Sequence, residues 1–425
     1  MLKEILIEQN PHWSGTKNIS IVRDQLHKII DYLPLKQIIT ISGIRRCGKS
    51  TLAWQAINYL IDQQILANNI LFVNLEQPYF IDHKHNTNYL NTIYDEYLKM
   101  MNPQGRVYVI FDEIQFFQNW QVFIKSKYEN QSIKFIITGS NSSLLSNDLN
   151  TLLSGRSLNV HLDTFSFTEF LRSQEIEYDN EVERIKNRIA IARAKEEYLE
   201  WGGFYEVFSV TQPSLKREIL ISYVKNIIYQ DIVPRHHIRN SEVLERLFYY
   251  LISNITGILN YTQLAKTFEV SDKTIKEYIG YFEDVFMLKK IDKFHTKEKV
   301  QIKSSKKIFS LDNGLLQISI KHSKNSGILL ENLTYIFLNQ QYKKINYYRE
   351  KYEIDFICQD DSFSGYRLIQ VSYDISHEKT RKREINSFKY FDLGKANKKQ
   401  IITLDTNEII NDIEVKSFDQ LIWAK

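Results

Sequence analysis

Apolar positions in the first third of the chain come in short, nearly continuous runs. They are Gln37–Ser42 (QIITIS), Ile70–Asn74 (ILFVN), Arg106–Phe111 (RVYVIF), Lys134–Thr138 (KFIIT) and Ser157–Leu162 (SLNVHL). Each is too short for a typical helix, and most are rich in β-branched residues, so each predicts a strand. The segments between them carry apolar residues at helical spacing. Strands that are apolar at almost every position, alternating with helices, predict a parallel sheet covered on both faces. After about Phe165 the pattern changes. Phe167 to about Asn240 reads as helices, with a break at Trp201–Val207 (WGGFYEV), and Leu244 to Phe309 reads as helices followed by short basic strands. From Leu329 one helix leads into a mixed pattern of INYYRE, YEIDFICQ, YRLIQVSY, a helix after Ser376, and KQIITLD.

The predicted fold class is therefore α/β, and 425 residues are too many for one ordinary core. The segments expected from the pattern are 1–165, 166–240, 241–310 and 311–425. A chain that is 43% hydrophobic and 25% charged is globular in composition, and its 6 Pro and 14 Gly argue against a long flexible linker. Two cysteines, Cys47 and Cys358, exclude a disulfide framework and a four-thiolate zinc site. The start, MLKEILIEQNPHWSG, has no apolar core of a signal peptide, and no run approaches the ~18 apolar residues of a membrane span. A cytoplasmic location is expected. The net charge of +4 does not by itself call for nucleic acid. Two basic stretches stand out: Lys289–Lys307, with eight lysines against two acids, and His377–Lys399. Either can be a solvated face or a phosphate-binding surface.

The sharpest motif stands between the first strand and the helix after it. Gly43-Ile44-Arg45-Arg46-Cys47-Gly48-Lys49-Ser50, followed by Thr51, satisfies G-x-x-x-x-G-K-[ST] in the context its chemistry needs. The glycines let the backbone curl so that successive N–H groups cradle a polyphosphate, and the following helix aims its positive end there. Lys49 is then placed on the β- and γ-phosphates and Ser50 on Mg²⁺. Arg45 and Arg46 fill permissive positions, and Cys47 reads as a small space-filler. The strand VYVIF delivers Asp112 and Glu113 to the C-terminal edge of the sheet. Asp112 suits Mg²⁺, and Glu113 suits polarising an attacking water. The run KFIIT ends in Gly139-Ser140-Asn141-Ser142, where a small polar side chain can reach a γ-phosphate or the water. Arg156, in LSGRS, precedes the last strand and can complete a neighbouring subunit's site.

GIRRCGKST, IFDEIQ, IITGSNSSLLS, LSGRS followed by FSFTEF, WGGFYEV and IIYQDIV occur in the order seen in a large bacterial and archaeal family of AAA+ ATPases. The chain resembles that family over nearly its whole length. The resemblance implies an AAA+ P-loop NTPase core with a parallel sheet (1–165), a helical lid (166–240) and a restriction-endonuclease-like α/β domain of PD-(D/E)XK type (311–425); the residues between them (241–310) read as a winged-helix segment, or as a helical hairpin used for packing. It implies ATP and Mg²⁺ as cofactors, Lys49 and Ser50 on nucleotide and metal, Asp112 and Glu113 on metal and water, Ser140 or Asn141 as sensor, and Arg156 as arginine finger. Arg235 and Arg239 are candidates for a second sensor.

Tyr261–Ile279 reads as helix, turn, helix. Leu264, Ala265 and Phe268 form one apolar face, Ser271 caps the second helix, and Ile275, Tyr278 and Ile279 pack inward. Lys273, Thr274 and Lys276 would then face a DNA groove, with Lys303, Lys306 and Lys307 on a β-wing against phosphates. In the last segment, Glu331 and Asp355 match the first two acids of a PD-(D/E)XK site. Gln370 stands where an acid is expected and Ser372 where the lysine is, with Lys379 and Lys382 available as a displaced lysine. The function expected is Mg²⁺-dependent ATP hydrolysis acting on DNA or a DNA-bound partner, as a homo-oligomer if Arg156 works in trans. The alternatives are an ATP-gated switch or scaffold and an ATP-regulated nuclease. Glu113 beside Asp112 favours hydrolysis; Gln370 and Ser372 disfavour the nuclease.

Overall fold

The computed structural model describes residues 1–18, 20–86, 88–129, 132–142, 155–320, 325–359, 365–391 and 397–423. They fall into two units. One comprises residues 1–165 with 284–286, and the other 166–283 with 287–425.

The first unit is built on five strands: β1 (Ile38–Ser42), β2 (Ile70–Asn74), β3 (Val107–Asp112), β4 (Ile133–Gly139) and β5 (Ser157–His161). Their order is β2-β3-β4-β1-β5 and all neighbours are parallel. The first four are buried at almost every position, which is why their sequences read as apolar runs. The helices α1 (Leu2–Gln9), α2 (Leu26–Tyr32), α3 (Lys49–Asp62), α4 (Tyr89–Met101) and α5 (Trp120–Tyr128) separate or precede them. One core gathers Leu71, Val73, Tyr94, Tyr97, Val109, Phe111, Phe123 and Phe135, with Phe123 edge-on to Phe111 and Phe135. Because all five strands run the same way, the loops after β1, β3 and β4 share one sheet edge.

The second unit holds an eight-stranded mixed sheet in the order β12-β13-β11-β10-β9-β8-β6-β7. Its strands are β6 (Leu288–Lys293), β7 (Lys306–Ser310), β8 (Ile345–Arg349), β9 (Glu353–Gln359), β10 (Tyr366–Val371), β11 (Asn397–Thr403), β12 (Glu408–Ile410) and β13 (Ile413–Ser417). Helices at Tyr261–Phe268 and Asp272–Asp284 take the predicted positions, and Ser271 Oγ accepts from Thr274 N at 3.0 Å as the cap. The lysine-rich stretch after them is not a free wing. A helix, Glu298–Lys303, lies between β6 and β7, and β6 pairs in parallel with β8. The hairpin is the edge of the large sheet.

The WGGFYEV break is a polar joint within this unit. Gly202 has φ +70°, and a Cβ there would stand 2.0 Å from Asp312 Oδ1. Asp312 accepts from the N–H groups of Gly203 and Gly314, and Asn313 donates to the carbonyls of Leu199 and Leu329. These contacts tie the helix Arg188–Trp201 to the sheet edge and the helix Ser326–Gln341.

Candidate nucleotide site

Residues 43–48 join β1 to α3. The turn has room only for glycine at its ends. A Cβ on Gly43 would lie 2.0 Å from the carbonyl oxygen of Leu162, and Gly48 has φ +99° with Arg23 Nη1 2.9 Å from where its Cβ would be. Arg46, at φ +71°, carries a left-handed conformation between them. Arg23 braces the loop from behind. It is 1% exposed, lies over the Phe165 ring at 4.5 Å, and donates to the carbonyls of Cys47 and, at 2.8 Å, Asp163. Cys47 is buried, and burial pushes its thiol above the ordinary value, so it is poorly reactive.

Lys49 opens α3 and is 3% exposed. Its ammonium donates to the carbonyls of Gly43 and Ile44, both at 3.2 Å, and stands 3.4 Å from Glu113 Oε1. Ser50 Oγ donates to Asp112 Oδ2 at 2.7 Å, and Thr138 Oγ1 donates to Asp112 Oδ1 at 2.6 Å. Arg45 pairs with Glu76 at 2.7 Å. β3 and β4 thus bring the acidic pair and the Ser140 loop to the edge where β1 delivers the Lys49 loop. Burial, with Glu113 beside it, pushes Asp112 up to about 6. Burial also opposes the charge on Glu113, but Lys49, the Gln115 amide and Arg45 outweigh it and hold that carboxyl below its usual value. Burial works against Lys49 as well, and Glu113 and Asp112 more than compensate.

A half-buried hydroxyl beside a buried carboxylate offers the hard oxygen donors Mg²⁺ takes, alongside phosphate oxygens. Ser50 and Asp112 therefore fit the expected ion. Among the described residues no group of three or more His, Cys, Asp and Glu side chains is placed to hold a metal.

Ser140 is 1% exposed and accepts from Gln115 Nε2 at 3.1 Å; Asn141 is buried beside it. Arg156 lies away from this group. Its carbonyl pairs with Ile38 N at the start of β1, and its guanidinium contacts Glu129 and the Tyr128 ring. It sits at the opposite edge of the sheet from the loop at Gly43, about 16 Å along the strands at ~3.3 Å per residue. Residues 143–154, which carry SLLS and the start of LSGRS, lie outside the described residues. Arg235 and Arg239 are exposed in the second unit. Thr51, at the start of α3, is half-buried.

The proposed DNA contacts divide. Lys273 is 85% exposed beside Glu277, Thr274 bonds Ser271, Lys276 covers the Tyr261 ring at 5.4 Å, and Lys303 is exposed. Lys306 and Lys307 do not present free charge. Lys306 is held by Asp292 at 2.7 Å and by the carbonyls of Gln301 and Ile302. Lys307 is 3% exposed, with its ammonium 2.6 Å from Glu353, 3.2 Å from Glu331 and 3.7 Å from Asp355. Adjacent residues on a strand point to opposite faces, so β7 turns Lys307 inward.

Glu331, Asp355 and Gln370 do come together. Gln370 Oε1 accepts from Asp355 N at 3.3 Å, and Asp355 Oδ2 accepts from Val371 N at 2.8 Å. The lysine among them is Lys307 rather than Lys379 or Lys382; Lys382 pairs with Glu378 in solvent. Ser372 donates to the Asp374 carbonyl. Sequence reasoning missed Arg23, Gln115, Thr138 and Glu353. Of these, only Gln115, two residues after the acidic pair in IFDEIQ, carried a local signal.

A profile of the AAA domain matches residues 35–171, and a domain of unknown function matches residues 193–326. An uncharacterized protein of Haemophilus influenzae is 30% identical over 357 residues, covering 82% of this chain and 86% of that protein. Uncharacterized protein MJ1544 of Methanocaldococcus jannaschii is 30% identical over 369 residues, covering 84% and 79% respectively. The AMPPCP-bound DnaA of Aquifex aeolicus aligns over 62% of this chain and 89% of that one at 14% identity and TM-score 0.29, too low a score to carry an argument. The chain belongs to one family with the Haemophilus and Methanocaldococcus proteins, and it carries an AAA domain over residues 35–171. No helix among the described residues is long and apolar enough to cross a membrane.

Proposed function

We propose that the chain is an ATP hydrolase. One observation carries this reading: buried Lys49, Asp112 and Glu113 and half-buried Ser50 converge at one sheet edge, with Lys49 3.4 Å from Glu113 and Ser50 2.7 Å from Asp112. The loop at Gly43 and Lys49 bind the β- and γ-phosphates, and Ser50 and Asp112 hold Mg²⁺, which offsets phosphate charge. Water oxygen bonds to the γ-phosphorus as the bridge to the β-phosphate breaks, and that electron pair leaves with ADP. The water's proton passes to Glu113, whose carboxyl is held below its usual value by Lys49, the Gln115 amide and Arg45 before nucleotide arrives. Steady-state ATP hydrolysis with Mg²⁺ tests the reading, with Lys49→Ala as the blank. Glu113→Gln should lose about 10²–10⁴-fold in turnover while still binding ATP. Turnover at the level of the Lys49→Ala blank refutes the reading and favours a nucleotide-gated switch or scaffold.

The partner in this reading is DNA or a DNA-bound protein, engaged through the outward face of the helix Asp272–Asp284, where Lys273 and Lys276 stand. Duplex DNA should bind with an affinity that falls steeply with salt, and binding unchanged in Lys273→Glu with Lys276→Glu removes this surface from consideration. The carboxylates at Glu331 and Asp355 are given a binding or packing role and not a cleaving one. Lys307 already balances them, and Gln370 supplies a neutral oxygen where a metal site wants charge.

A further inference from the structure

We propose that Gln115 orients the attacking water together with Glu113, a role that rests on the ATP-hydrolase reading above. Gln115 lies in the single turn Ile114–Phe116 directly after β3. On a continuing strand, residues 113 and 115 would sit about 6.6 Å apart along one face. Glu113 instead has φ +54°, a left-handed kink that folds the chain back. The side chains then meet: Gln115 Nε2 donates to Glu113 Oε2 and, at 3.1 Å, to Ser140 Oγ.

The chemistry of these contacts fixes which way the amide points. A carboxylate only accepts hydrogen bonds, so the nitrogen end must face Glu113 and the oxygen end must point away. That oxygen, Oε1, is buried and accepts from no donor among the described residues. A buried acceptor left unsatisfied is costly, and such groups are rare in folded proteins. A donor small enough to reach it beside Glu113 is water. Water has two protons: one directed at the Glu113 carboxylate and one at Gln115 Oε1 fix the lone pair that attacks. The same amide holds Ser140, just after β4, so Gln115 links the residue beside the water to the residue predicted to sense the γ-phosphate.

Two substitutions test the role. Gln115→Met keeps most of the volume and removes both amide ends. Gln115→Asn keeps the amide and withdraws it by one methylene. Each should lower kcat by about 100-fold, the loss expected when a reacting group is misplaced by about 1 Å. Affinity for a non-hydrolysable ATP analogue should stay within about three-fold, while affinity for ADP with aluminium fluoride should fall with kcat, since interactions made in the transition state are the ones lost. A wild-type kcat in both variants overturns the role. So does an equal loss of affinity for both nucleotide states, which marks Gln115 as a binding or structural residue. Where Gln115→Met lowers the melting temperature, Gln115→Asn decides. A wild-type chain no faster than Lys49→Ala overturns the hydrolase reading itself, and is told apart because the failure then appears before any change at Gln115.

Discussion

Replacing Lys307 by Met isolates the charge that holds the second unit's carboxylates together. Its ammonium faces Glu353 at 2.6 Å, Glu331 at 3.2 Å and Asp355 at 3.7 Å, and the side chain is 4% exposed. At an effective dielectric of ~20 each contact has a gross attraction of roughly 4–6 kcal/mol. Desolvation of the cluster, in which Lys307 and Asp355 are buried and Glu331 and Glu353 partly so, takes most of that back, so the intact cluster adds little to stability. Removing one partner is different, because the remaining charges stay buried without compensation, a loss of about 3–5 kcal/mol. For a unit of this size about 2–4 °C accompanies each kcal/mol, so the melting temperature should fall by about 10 °C at pH 8. The pH dependence has a definite sign. Burial raises Glu331 and Asp355 above their ordinary values, and Lys307 opposes that rise. Without Lys307 both rise further. A carboxyl raised in the fold holds a proton that the unfolded chain releases, so its favourable contribution is full at low pH and is lost as pH rises through the folded value. The deficit of Lys307→Met should therefore be smaller at pH 5 than at pH 8, and Glu353→Gln added to Lys307→Met should recover part of it. Differential scanning fluorimetry at both pH values decides. A deficit below about 1 kcal/mol at pH 8, or one equal at both pH values, refutes the reasoning.

Three other outcomes are expected. Gly43→Ala should weaken ATP-analogue binding by about 1–3 kcal/mol in equilibrium titration, because its methyl lands 2.0 Å from a backbone oxygen that cannot retreat as a side chain does; unchanged affinity would show that the loop relaxes freely. Among the described residues Lys134 donates to the carbonyls of Tyr32, Leu35 and Gln37, and burial, with Arg106 nearby, pushes its ammonium down to about 7. The folded chain thus gives up this proton near pH 7 and the unfolded chain near 10.5, so stability relative to Lys134→Met should rise from pH 6 to pH 9 in urea titrations; a flat difference refutes it. Mixing Lys49→Ala with Arg156→Ala should restore ATP turnover that neither shows alone, since Arg156 lies at the sheet edge opposite its own loop at Gly43; a fully active Arg156→Ala chain removes the finger role.

The strands of the first unit were legible to within about a residue at each end, because a covered parallel strand writes itself as a β-branched apolar run. The Lys49 loop was legible because its glycines answer to hard steric limits: one lies against the Leu162 carbonyl and the other has φ +99°. What stayed hidden depends on distant partners. Arg23 acquires its meaning from Asp163, and Gln115 from Ser140. The Arg23 pairing leaves no local pattern, and Gln115 shows only its place two residues after the acidic pair. The lysine run misled for a related reason. Counting charge along Lys289–Lys307 treats the segment as one surface, but β7 is part of a covered sheet, and alternation sends Lys307 inward while Lys306 is spent on Asp292 and two helix-end carbonyls.

Lys49 and Lys307 are equally buried, at 3% exposure, yet their surroundings assign them different work. The contacts of Lys49 are long for an ammonium, 3.2, 3.2 and 3.4 Å, and two of the three acceptors are neutral carbonyls. A polyphosphate offers the same ammonium several full negative charges. In the proposed reading the exchange would cost two weak hydrogen bonds and free Glu113 from its cation as a γ-phosphate arrives. Lys307 has a 2.6 Å contact with one carboxylate and two more within 3.7 Å. A ligand that drew it away would leave those carboxylates uncompensated, so the exchange is uphill. Burial alone does not separate a working lysine from a structural one. The length of its contacts and the charge of its acceptors do, and on that criterion the chemistry lies at the edge of the five-stranded sheet.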